Sequence, residues 1–598
     1  MRRTTVSRLV TTVLACAVLT GAGVPGRTAA PAAPAVPAPP AVPAPPAVPA
    51  PPAPPAGQIA WGPCPSPPLQ QAGAECGFLP VPLDHADPGG EQIEIAVSRV
   101  RHTVPDAQYQ GVMLVNPGGP GGPGLGLSRL GGAVPGNAGA AYDWIGFDPR
   151  GVGTSRPALS CDPGYGGYDR PDHRPEHGAE AAWLPRTQAY ARACAERGGA
   201  LLENLRTEDT VRDMDLLRAA LGAEQINFYG FSYGTMLGQV YATTFPDRVR
   251  RMVLDGVVDP RAWWYQANQN QNVAFERNIG VFFDWVAKND ATYGLGDSGD
   301  EVEALYYEIG DRLRAEPAGG LIGSAEWTDI FLSAGYNVGA YTRVADAFVA
   351  GTRGDAATLK QAYDQAGSPT DDNNYAVYLA TQCTDAPFPQ DWATWKADNT
   401  ETDAVAPFET WGNAWYNAPC LDWPVPPGPA PEVRGTLAEG PLLISETYDG
   451  ATPYEGALQA RRTFPGSSLV EGLGGHTHSA SLSGVSCVDD AVAAYLATGA
   501  LPERTGGDGS DLQLPRGAAA GPGRPRRAAR ELTAPAPRAS LRPGSLRPGS
   551  LRPGSLRPGL LRPGLLRPGL LRPGLLRPGL LRAGSARRDA AHGALGGR

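Results

Sequence analysis

The five residues Gly230-Phe231-Ser232-Tyr233-Gly234 constrain the fold of this chain more than any other feature. They follow a strand-like run, Ile226–Tyr229, and precede an amphipathic stretch, Thr235–Phe245. A strand that turns into a helix within one residue forces the central serine into strained backbone. Both flanking positions then need glycine to avoid side-chain collisions. Such a turn lifts Ser232 off the end of a sheet and points the Tyr233 N–H toward whatever carbonyl the hydroxyl attacks.

Other short apolar runs repeat the pattern. Gly111–Val115, Tyr142–Phe147, Met252–Leu254 and Leu442–Ile444 read as strands, with helical stretches between them. Apolar strands alternating with helices predict an α/β fold, a mostly parallel sheet covered on both faces, with sites at the carboxyl ends of its strands. A serine hydroxyl is a weak nucleophile, so a histidine base and an orienting carboxylate are needed, here expected in the order serine, carboxylate, histidine. Asp449, in the turn after Leu442–Ile444, is the leading carboxylate; Glu446 competes but lies closer to the strand end. Seven histidines occur in all, and after Ser232 only His476 and His478 precede the tail. One of them is the base, and spacing does not choose between them. The other is expected to be an exposed loop residue. A tetrahedral intermediate also needs two N–H donors. Tyr233 supplies one. The second belongs to the loop Asn116–Gly124, where Pro117, Pro120 and Pro123 have no N–H. Gly118, Gly119, Gly121 and Gly122 remain, and position after the strand favours Gly119.

The net charge of −9 conceals two unlike parts: residues 511–598 carry 18 Arg, no Lys and three acidic residues, leaving 33 basic against 57 acidic residues in 1–510. The acidic body argues against a nucleic-acid partner. The N-terminus places Arg2, Arg3 and Arg8 before an apolar run, Leu9–Val18, and small residues to Ala30, which predicts a secretory signal peptide over 1–30 and a secreted or envelope-associated protein. No later uncharged apolar run is long enough to span a bilayer. In 31–56, 13 of 26 residues are proline, which predicts a disordered Pro/Ala-rich linker. As polyproline II it would reach roughly 80 Å. From Leu541 a Leu-Arg-Pro-Gly pentapeptide repeats, forbidding helix, and 504–598 is expected to be a disordered basic tail. It reads either as an arm for an anionic envelope polymer or, the favoured reading, as repetitive DNA translated in a shifted frame. Seven cysteines remain after export. No CxxC pair or Cys/His cluster suggests a metal, so they read as disulfides and no cofactor is expected. Pairing of sequence neighbours gives 64–76, 161–194 and 383–420 with Cys487 left over, and the connectivity stays open.

Taken jointly, Asn116-Pro-Gly-Gly-Pro-Gly-Gly122, Asp148-Pro-Arg-Gly-Val-Gly-Thr-Ser155, the Ser232 motif, Phe245-Pro-Asp247, Val253–Pro260, Cys383-Thr-Asp385 and Asp449–Glu455 resemble the α/β-hydrolase fold. Within it they resemble the prolyl-aminopeptidase-like family of exported actinobacterial tripeptidyl aminopeptidases. The resemblance spans roughly Ile59–Leu501. It selects His478 as the base, because His476 stands at a family threonine position. It implies a core of residues 57–260 and 432–503 interrupted by a largely helical cap, 261–431. It also implies a serine exopeptidase that releases short peptides, typically tripeptides, from substrates with free N-termini. A cap carboxylate would hold the substrate ammonium. Asp385 is the candidate, with Asp371 and Asp372 weaker; a capping role beside a disulfide fits Asp385 equally. A secreted esterase on the same scaffold, or a non-catalytic envelope-binding protein, are the alternatives. Cell-wall association through the linker or tail is a further expectation.

Overall fold

The computed structural model describes residues 57–367 and 371–515. The expected signal peptide, Pro/Ala-rich linker and pentapeptide repeats lie outside the described residues. Strands β1 (Gly62–Pro63), β2 (Glu75–Pro82), β3 (Gln92–Val100), β4 (Val112–Asn116), β5 (Asp143–Phe147), β6 (Ile226–Phe231), β7 (Val249–Asp255), β8 (Leu442–Glu446), β9 (Ser468–Leu473) and β10 (Leu512–Pro515) form one sheet. Its order is β1-β2-β3-β5-β4-β6-β7-β8-β9-β10. Pairing is antiparallel from β1 through β3 to β5 and parallel from β5 to β10.

The central strands are apolar at most positions because both faces are covered. Val112 and Leu114 of β4 join a cluster with the helices Thr207–Ala220 and Tyr233–Thr244, while Met113 and Val115 face the helix Ser486–Thr498. Alternate side chains on a pleated strand point to opposite faces, so a strand buried on both needs an unbroken apolar run.

Between β7 and β8 the chain runs through eight helices of eight residues or more, from Tyr265–Ala287 to Thr410–Asn417. This insertion divides in two by packing. Phe282, Tyr306, Trp327, Phe331 and Phe348 make an aromatic core of their own. Leu379, Trp411 and Trp415, from later helices, instead join the cluster beneath the sheet. Among the described residues no helix is long and apolar enough to cross a membrane. Disulfides join Cys64–Cys76, Cys161–Cys194 and Cys383–Cys420, and Cys487 is a free thiol.

The tail does not begin at residue 504. Arg461 holds Asp511 with two nitrogens, at 2.8 and 2.6 Å, in a buried pair, and Asp511 also accepts the Leu469 N–H. Residues 512–515 then add β10 in parallel to β9. Four residues, Leu-Gln-Leu-Pro, give too little periodicity to stand out beside an arginine- and proline-rich segment.

Candidate active site

Ser232 sits between β6 and the helix Tyr233–Thr244 with φ 54° and ψ −127°, a left-handed conformation that costs a non-glycine residue about 1–3 kcal/mol. The surroundings enforce it. A Cβ on Gly230 would stand 2.5 Å from the Gly234 carbonyl oxygen, and one on Gly234 would stand 2.6 Å from that of Asn116. The Ser232 N–H donates to the Asp255 carbonyl at 2.9 Å.

The loop after β4 reaches the same turn. Two of its four candidate amides are spent internally: Gly118 N–H donates to Asn116 Oδ1 at 2.9 Å, and Gly122 N–H to the Gly118 carbonyl at 3.1 Å. Of Gly119 and Gly121, only Gly119 lines the cavity that Ser232 and Tyr233 also line.

Asp449 and His478 are together. Asp449 is fully buried, and its carboxylate meets His478 Nδ1 at 2.8 and 3.0 Å. The Ala451 and Thr452 N–H groups and the Thr452 hydroxyl donate to the same carboxylate. Burial disfavours the imidazolium, but the charge and hydrogen bond of Asp449, with the charge of Asp255 behind them, raise the His478 pKa above its ordinary 6.5. The insertion grips both partners. Asn278 donates to the Tyr448 carbonyl at 2.8 Å and Gln271 to that of Ala451 at 2.6 Å, while the Tyr336 carbonyl accepts the His478 N–H at 2.8 Å. The Tyr336 ring stands edge-on to the imidazole.

Glu446 faces elsewhere: its carboxylate accepts the Thr477 N–H and braces the loop that carries His478. His476 is not an exposed loop residue. It is 6% exposed and stacks on Tyr448 with ring centroids 5.0 Å apart. Glycines at 474 and 475 let the loop fold tightly enough to bury that ring.

The cavity in front of Ser232 has a volume of about 820 Å³ and is roofed by the insertion, with Trp264, Tyr336, Tyr375, Tyr378 and Tyr416 among its walls. Asp385 does not line it. Its carboxylate, buried beneath, accepts Thr207 N–H at 2.8 Å, Thr207 Oγ1 at 2.6 Å and Trp264 Nε1 at 3.2 Å. Burial pushes its pKa up to about 7, and it serves to tie the insertion to the start of a core helix. Asp371 and Asp372 do line the cavity, but Asp372 is engaged by Ser160, the Cys161 N–H and Tyr190. Asp371 accepts the Asn374 N–H at the start of its helix.

A carboxylate the sequence does not single out does face the cavity. Glu409 is 8% exposed, and its Oε2 has no hydrogen-bond donor, unlike every other buried carboxylate oxygen among the described residues. Arg170, near it, is already bound to Glu326 at 2.9 Å and Asp329 at 2.6 Å. Burial, reinforced by Asp329 and opposed by Arg170, pushes the Glu409 carboxyl well above its ordinary 4.5. His173, beside it, is kept neutral by burial and by Arg170, its pKa lowered to about 4. In sequence Glu409 is one acid among many before a tryptophan-rich helix, and only the packing distinguishes it.

Comparison with known proteins matches residues 111–324 to the alpha/beta hydrolase fold family and residues 406–508 to the TAP-like protein family. The chain is 41% identical to Tripeptidyl aminopeptidase of Streptomyces coelicolor over 460 residues, which is 75% of this chain and 85% of that protein. Serine protease Hip1 of Mycobacterium tuberculosis is 31% identical over 476 residues, 74% of this chain and 89% of that one. Carboxylesterase B of the same organism is 33% identical over 454 residues, covering 72% and 85% respectively. With a serine on a strained strand-to-helix turn, a buried carboxylate–histidine pair and relatives matched over most of their length, the chain is a serine hydrolase belonging to the tripeptidyl-aminopeptidase-like peptidase family of the α/β-hydrolase fold.

Proposed function

We propose that this protein is an exported aminopeptidase that releases tripeptides from free N-termini. The observation that carries this reading is a roofed cavity with Ser232 on its floor and the unpartnered Glu409 carboxylate in its wall. A substrate ammonium that reached the Glu409 carboxylate would be held there by a charge-assisted hydrogen bond. Asp449 accepts the hydrogen bond of His478 Nδ1–H, which leaves Nε2 free to act as the base. Ser232 Oγ attacks the carbonyl of the third residue as its proton passes to Nε2. The oxyanion is received by the Gly119 and Tyr233 N–H groups. The imidazolium then protonates the leaving amine, and water, deprotonated by the same nitrogen, releases the peptide. Export is supported by the N-terminal sequence and by three disulfides, which persist in oxidising compartments.

The test compares chromogenic tripeptides with free and N-acetylated N-termini. A strong preference for the free form is expected; equal rates would sink the exopeptidase reading. The 33% identity to Carboxylesterase B favours an acyl-ester substrate as the second reading, and activity on short esters alone would establish it.

A further inference from the structure

Asp255, at the end of β7, touches both halves of the catalytic apparatus. Its strand register pairs it with Phe231 on one side and Ile444 on the other, and it is 1% exposed. Its carbonyl accepts the Ser232 N–H at 2.9 Å and the Ser479 hydroxyl at 3.3 Å. Its carboxylate accepts the Ser481 N–H at 2.8 Å and the Ser481 hydroxyl at 2.5 Å, and that hydroxyl also meets Tyr229 at 2.7 Å. One residue thus fixes the nucleophile's turn and the segment that follows His478.

That segment needs fixing. Ser479 and Leu482 have φ of 55° and 56°, left-handed values that neither residue type favours. Next to Asp255, Gly256 has φ +69°, and a Cβ there would lie 2.9 Å from His478 Cε1, so the imidazole rests against this stretch of backbone. A second carboxylate, Asp489, clamps the same segment further along through the Leu482 and Gly484 N–H groups.

Tying a loop does not require a charge. A buried carboxylate without a basic partner costs several kcal/mol of desolvation, on the order given for ions in protein interiors, and an amide could accept the same N–H. What a carboxylate adds is negative charge beside His478. We propose that Asp255 is a second carboxylate acting on His478, a positioning residue that seats the imidazole opposite Asp449 and stabilises its charged form as the acyl-enzyme is made and broken. This rests on His478 being the base.

The groups facing His478 are Asp449 and Thr452 from the turn after β8, Tyr336 from the insertion, Asp255 from the end of β7 and Gly256 just after it. Those facing Asp255 are Ser481, Tyr229, His478 and Asp449. None but His478 itself is basic. Burial pushes the Asp255 carboxyl up to about 6, against the pull of Ser481 and His478.

The test is the NMR titration of His478 in the whole enzyme, read together with kcat and KM on a chromogenic tripeptide. Asp255→Asn is expected to lower the His478 pKa by roughly half to one unit. It should also lower kcat by about tenfold with KM within twofold, as a displaced or less stabilised base would. Ser481→Ala, which removes one donor and makes Asp255 harder to ionise, should shift the titration in the same direction by less, and it serves if the first variant does not fold. Asp489→Asn should lower Tm and leave the titration where it was. An unmoved His478 in both Asp255→Asn and Ser481→Ala, or an equal shift in Asp489→Asn, overturns the proposal. The titration is read without turnover, so it stands apart from whether the substrate is a peptide.

Discussion

Glu409→Gln changes one oxygen for an NH2 and keeps the volume, which isolates the charge. In the empty enzyme that charge is a liability, because Oε2 has no donor and Arg170 is committed to Glu326 and Asp329. With a substrate ammonium in place it becomes half of a buried, charge-assisted hydrogen bond, which contributes about 1.5–3 kcal/mol. Losing it should lower kcat/KM for a free tripeptide by roughly 10- to 150-fold, at 1.36 kcal/mol per factor of ten. The N-acetylated analogue presents no ammonium and should lose nothing, so the free-to-blocked ratio collapses by the whole factor. Stability gives an independent sign. Burial raises the folded-state pKa of Glu409 above 4.5, so wild type is fully stable below that value and loses stability as pH rises through the raised pKa. The glutamine variant has nothing to ionise. It should match wild type near pH 4 and exceed it in Tm at neutral pH. Equal losses on free and blocked substrates, or none on either, would refute the assignment.

Asp449→Asn keeps the geometry but offers an N–H where His478 Nδ1–H needs an acceptor, and kcat should fall about 10⁴-fold. His478→Ala should be comparably severe, whereas His476→Ala should cost little kcat and some Tm, because His476 stacks on Tyr448; the reverse pattern would exchange their roles. Asp511→Ala leaves the buried Arg461 unpaired and should cost about 3–5 kcal/mol, seen as a lowered urea midpoint. Asp511 is held down to about 2, first against burial and then by Arg461, so its stabilisation is complete above its ordinary 3.8. The wild-type advantage should therefore fade only as pH falls from about 4 toward 2.

Much of the fold is legible in the sequence because its signals are local. Strands β4 to β8 announce themselves as short, mostly apolar runs, and the glycines around Ser232 are required by contacts within the same turn or with Asn116. Asp449 is legible from its place in the turn after a late strand, and the scarcity of histidines narrows the base to His476 or His478, between which only the family resemblance chooses. What fails to show depends on partners far along the chain. Asp385 looks like a cavity carboxylate until Thr207 and Trp264, 178 and 121 residues away, claim its oxygens. Glu409 is conspicuous only through the donors it does not have. β10 is invisible because a four-residue edge strand is specified by β9 and by the Arg461–Asp511 pair, not by its own composition.

The grip of the insertion on the catalytic turns has a further consequence. Asn278 and Gln271 hold the carbonyls on either side of Asp449, and Tyr336 holds the backbone of His478. A roof attached in this way is not a lid over a finished machine. Lifting the helices that carry these three residues would pull the proton relay apart in the same motion that exposed Ser232. On the proposed mechanism, a folded protein large enough to force the roof open would meet a disarmed serine, and the restraint on indiscriminate cleavage would lie in these three hydrogen bonds.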